Sequence, residues 1–107
     1  MPNWLSTGNG TAVPIGKIPE FTPDIWRSTV IASGGRLCAL FGSVLPDKSV
    51  QVWTVLGFSS SGNLGLLTTR ISGSYPALTP DLPAAHWFER ELAEQCGLIP
   101  DGHPWLK

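Results

Sequence analysis

Residues 75–107 read YPALTPDLPAAHWFERELAEQCGLIPDGHPWLK, and this stretch organises the rest of the chain. It holds half of the ten prolines, one short helix and a closing Gly-His-Pro-Trp-Leu-Lys. Pro80 and Pro83 forbid helix ahead of Pro83. Pro83 itself suits the first helical position, where its missing N–H is no loss. Residues 84–96 contain neither Gly nor Pro. Gly97 then supplies the left-handed residue that ends a helix, and Leu98 is placed to fold back on Leu92 or Ala93. Ala85, Phe88, Leu92 and Cys96 recur at helical spacing and define an apolar stripe. Glu89, Arg90, Glu91 and Glu94 are read as lying off that stripe. Arg90 and Glu94 are four apart and pair for about 0.3–0.5 kcal/mol if exposed.

The polar side of this helix has two readings. Glu89, Arg90 and Glu91 form either a solvated helix face or a docking face, the second being preferred because Arg90 offers a planar fork for a partner carboxylate. Trp87 is either a second core contact or an interface anchor. Trp105 is the clearer anchor, and His103 is expected to organise the loop 102–104. The prolines of 75–83 either pre-order a loop for a partner or simply stiffen a connection.

Three segments carry a resemblance. Tyr75-Pro-Ala-Leu-Thr-Pro80, then Pro83-Ala-Ala-His-Trp-Phe-Glu-Arg-Glu91, then Gly97-Leu98 and Gly102-His-Pro104 resemble the signature of the C subunit of respiratory NADH:quinone oxidoreductase. The 86–91 spelling and the ending are more similar still to the N-terminal domain of the large subunit of membrane-bound, group 4 (formate hydrogenlyase-type) [NiFe] hydrogenases. One departure is Cys96, where that family usually places a large aromatic. The detailed likeness covers the last third; the front agrees in element order.

The resemblance implies a two-layer α+β domain and a non-catalytic structural or assembly role in a membrane-associated redox complex. It implies docking on a large catalytic subunit or domain beside neighbouring Fe–S subunits, in electron transfer from NADH or formate-derived electrons. Fe–S or NiFe centres are expected on those partners and no cofactor in this chain. The expected place is cytoplasmic, peripheral at the inner face of the cell membrane. Trp87, Glu89, Arg90, Glu91, Glu94, His103 and Trp105 are the expected partner-facing residues, with no catalytic or metal residue among them.

Upstream, residues 1–20 are rich in Gly, Pro, Asn and Thr and read as an extended arm with little regular structure, ahead of a single domain over 21–107. Residues 22–33 predict a helix: Thr22 as N-cap, Pro23 in the first turn, Asp24 at the positive end of the dipole, Phe21 and Trp26 as a staple. Ile25, Trp26, Thr29 and Val30 would share one face. Residues 36–45 are apolar on both sides, as in a central strand. Residues 50–58 are the second strand and 64–71 the third, with Gly65 and Gly73 suggesting that the third bends or ends near an edge. The expected fold is α+β in α-β-β-β-α order, with two helices on a small mixed or antiparallel sheet of about three to four strands.

Composition closes off other classes. At 107 residues this is one domain, large enough for a core without metal or disulfide staples. A net charge of −1 with 14% charged residues gives no electrostatic reason to expect nucleic acid. No apolar run approaches the ~20 residues that span a bilayer, and the N-terminus lacks a signal-peptide pattern. Gly-x-Gly-x-x-Gly, phosphate-loop, Gly-x-Ser-x-Gly and paired-cysteine motifs are missing. The alternative function is a stand-alone metal-binding or small-molecule module, the metal being held by His86, His103, Cys38 and Cys96, although nothing in their spacing favours zinc.

Overall fold

The computed structural model describes residues 4–8, 15–58 and 62–102. Strands β3 (Arg36–Val44), β4 (Val50–Phe58) and β5 (Asn63–Ile71) form an antiparallel meander. The β3–β4 turn is set by Asp47, whose Oδ1 accepts the Ser49 N–H at 3.0 Å, and by Lys48 in the left-handed region at φ 72°. At the far edge of β5, β1 (Leu5–Gly8) pairs antiparallel and β2 (Glu20–Phe21) pairs parallel. The sheet is therefore mixed and has five strands, slightly more than the three to four expected.

Part of the N-terminal arm is thus sheet: Leu5 lies opposite Leu66 and Gly8 opposite Asn63. The strand order also reverses two expectations. β3 is an edge strand, and β5 lies inside the sheet. Apolar residues occupy both sides of β3 for another reason. One side lies under a helix, and the other carries Phe41, which is 54% exposed.

Helices α1 (Pro23–Ala32) and α2 (His86–Cys96) cover the same face of the sheet, since Trp26 reaches Thr54 and Leu92 packs by Gly42 beside Val50 in one core. Thr22 starts α1 with extended backbone, although its side chain makes no capping bond. Trp26 and Val30 point into the core; Trp26 Nε1 donates to Thr54 Oγ1 at 2.8 Å. Ile25 departs from the expected face and is 53% exposed. The α2 boundaries follow the reading closely. Residues Pro83–Ala85 form a 3-10 turn that leads into the helix, and Gly97 ends it at φ 74°. Leu98 then returns to the core.

Gly42 lets α2 settle on β3. A Cβ there would stand 2.7 Å from Val50 and 3.0 Å from both Leu92 and Cys96, so only hydrogen leaves room. Leu40, Val52, Leu56, Leu67 and Ile71 fill the space between sheet and helices. A second sheet, β6 (Ser74–Pro76) parallel to β7 (Ile99–Asp101), ties the chain before α2 to the chain after it. Among the described residues no helix is long and apolar enough to cross a membrane.

A candidate docking site around helix α2

The site begins with a side chain that faces inward. Glu89 is 0% exposed. Its Oε2 accepts the Tyr75 hydroxyl at 2.6 Å and the Leu78 N–H at 2.9 Å. Its Oε1 accepts the Thr79 N–H at 2.8 Å and the Thr79 hydroxyl at 2.6 Å. Burying a carboxylate costs several kcal/mol after relaxation. Hydrogen bonds to a charged group return about 1.5–3 kcal/mol each, so a full set is what makes this burial tolerable. The bonds also fix the loop 75–79 against α2. Burial, and secondarily the Glu89 charge, push the Tyr75 phenol far above its ordinary range, which keeps it a donor.

α1 holds the same loop from its other side. Arg27 Nε donates to the Ala77 carbonyl at 3.1 Å, and Nη2 pairs with Asp81 Oδ2 at 2.6 Å. Trp26 meets the Tyr75 ring edge-on at a centroid distance of 6.0 Å. A buried line of contacts thus runs from Thr54 through Trp26 and Tyr75 to Glu89. Behind the loop, Ala77 N–H donates to the Asp101 carbonyl at 2.9 Å.

With its inner side so fixed, α2 presents the remaining predicted residues outward. Trp87 is 67% exposed and is not a core contact of this chain. The Arg90 guanidinium lies 5.0 Å from the Trp87 ring centroid and 3.7 Å from Glu94 Oε1. Arg90 Nε is a buried donor with no hydrogen-bond partner among the described residues. His86 stands edge-on to Trp87 at 5.5 Å. Glu91 and Glu94 are exposed. Nearby, Ile99 on β7 is an exposed apolar residue at 58%.

Glu89 is the correction. It is sealed inside this chain and cannot meet a partner. Its spacing carried the signal, because 85, 89, 92 and 96 follow helical steps and place an acid within the stripe. His103 and Trp105 lie outside the described residues. Tyr75 and Thr79, which complete the Glu89 cage, were missed as site residues altogether.

Among the described members of the set offered for metal, the two cysteines stand apart. Cys38 lies beside Gly57 on the sheet face away from the helices, whereas Cys96 lies beside Gly42 beneath α2. Both thiols are free. Burial raises the Cys96 thiol above its usual range.

Residues 40–107 match the model of a family described as Respiratory-chain NADH dehydrogenase, 30 Kd subunit. The chain is 32% identical over 94 residues to Formate hydrogenlyase subunit 5 of Escherichia coli (strain K12), a match that takes in 79% of this chain and 16% of that protein. It is 32% identical over 76 residues to the C subunit of the NADH-quinone oxidoreductase of Caulobacter vibrioides, covering 67% of this chain and 39% of the relative. The chain therefore spans well under half the length of either relative. Among solved structures, the trypsin-resistant fragment (1-134) of Nqo5 superposes with a TM-score of 0.60. That match covers 96% of this chain and 89% of the fragment at 17% identity, and speaks for the fold.

Proposed function

The chain belongs to the family of the respiratory-chain NADH dehydrogenase 30 kDa subunit, and from that membership we propose that it is a structural and assembly domain of a membrane-associated redox complex, with no chemistry of its own. The complex is of [NiFe] hydrogenase or NADH:quinone oxidoreductase type. Within it the chain docks on the large catalytic subunit or domain, beside the Fe–S subunits. Fe–S or NiFe centres belong to those partners. Residues 21–107 are the docking domain, and the N-terminal arm, 1–20, adds Leu5–Gly8 and Glu20 to its sheet. The complex holds it on the cytoplasmic side, peripheral to the membrane.

Trp87 carries the reading. A tryptophan 67% exposed, with an arginine stacked on it, sits on a helix whose opposite side is bonded rigidly to its own loop. Trp and Arg are the types that dominate interface energetics, and a pre-ordered surface loses less entropy on binding. The relatives add support, since both are named as subunits. The hydrogenlyase match takes in more of this chain, which favours the hydrogenase type.

The test is co-expression of the tagged chain with a hydrogenase-type large subunit and, separately, with the large subunit of an NADH:quinone oxidoreductase. Stable co-elution with one of them is the expected result. Failure to associate with either removes the reading.

A further inference from the structure

We infer that residues 75–79 form a carboxylate-binding nest and that Glu89 is its resident ligand. The two backbone donors, Leu78 N–H and Thr79 N–H, are successive in the chain and aim at different oxygens of the same carboxylate. Successive N–H groups of this kind make an anion-binding concavity. The hydroxyls of Tyr75 and Thr79 add one donor to each oxygen. Every contact on the two oxygens is thus a donor. None comes from a cation, and among the described residues no Lys or Arg is bonded to Glu89.

That pattern discriminates between chemical species. A carboxylate satisfies all four donors. A carboxamide replaces one oxygen with NH2 and sets it against a backbone N–H that cannot turn away. The loop therefore selects a carboxylate over its neutral isostere, a selectivity that simple filling of an apolar core would not have. The nest belongs to this chain alone and stands whether or not a partner docks on α2.

Chemical rescue of the full chain tests it. Glu89→Ala removes the atoms of one acetate and leaves the four donors facing the space. Thermal unfolding is followed as sodium acetate is titrated, with acetamide and sodium chloride at matched concentration as controls. The expected result is a saturable rise in Tm with acetate that recovers more than half of the loss, and no such rise with acetamide or chloride. Glu89→Gln, whose side chain fills the site, should show no response to acetate. Equal responses to acetate and acetamide, equal responses to acetate and chloride, or rescue of the Gln variant would overturn the inference. If the Ala variant does not fold even in acetate, hydrogen exchange in the wild-type chain decides. The Leu78 and Thr79 amides should then rank with the slow core amides, and Tyr75→Phe should speed both. Fast exchange at those amides in the wild type, or no change in the variant, contradicts the nest.

Discussion

Helices α1 and α2 lie on the same face of the sheet, yet they treat tryptophan in opposite ways. Trp26 of α1 is 0% exposed and bonded to Thr54, while Trp87 of α2 is 67% exposed. In its place α2 buries an acid, Glu89. The orientation of α1 follows from hydrophobic partition, with one indole donor satisfied by one threonine. The orientation of α2 is set by the polar demands of a proline-rich loop, whose donors at 75, 78 and 79 need an acceptor. A helix ordered by hydrogen bonds on its inner side is free to leave a large aromatic on its outer side.

The largest effect should come from removing the α1 anchor. Trp26→Ala is expected to lower stability by about 3–5 kcal/mol, since it opens a core cavity and orphans the Thr54 hydroxyl. Urea unfolding measures it. Glu89→Gln comes next, at about 3 kcal/mol, because a buried N–H loses its acceptor and faces another donor. A cost below about 0.5 kcal/mol would mean that α2 is held by its apolar stripe after all.

Alkaline pH sharpens the same comparison. Tyr75 is raised in the folded state, chiefly by burial, and is unperturbed at about 10 when unfolded. Above that pH the unfolded chain sheds the proton while the folded chain keeps it, so folding loses stability as pH rises. The slope is at most about 1.4 kcal/mol per pH unit for one proton. Tyr75→Phe should flatten the profile above pH ~10 relative to wild type, as followed by unfolding at stepped pH. The smallest effect is expected at Trp87. Trp87→Ala should leave stability within about 0.5 kcal/mol, the range for exposed positions.

The sequence was most legible where the signal is local. Pro83 and Gly97 bracket the second helix, and the strand limits of the meander fall within a residue of their patterns. Legibility failed where the answer depends on distant neighbours. Apolar residues on both sides of 36–44 look the same whether the strand is central or is an edge covered by one helix. Leu5–Gly8 is too small and polar to announce a strand, and its partner lies at 63–66. At the candidate site, Glu94 is exposed and Arg90 half-buried on α2, whereas Glu89 is fully buried. Its charge suggests an outward residue, whereas its position four after Ala85 and three before Leu92 marks it as inward.

The outer side of α2 is the surface that we propose a large redox subunit grips. Titration calorimetry of that subunit with wild type, Trp87→Ala and Phe41→Ala tests it most directly, because Phe41 is comparably exposed on the opposite side of the sheet. Trp87→Ala is predicted to weaken binding by about 2 kcal/mol, roughly 30-fold, while Phe41→Ala binds as wild type does. Unchanged affinity for Trp87→Ala, with loss confined to Phe41→Ala, would contradict it.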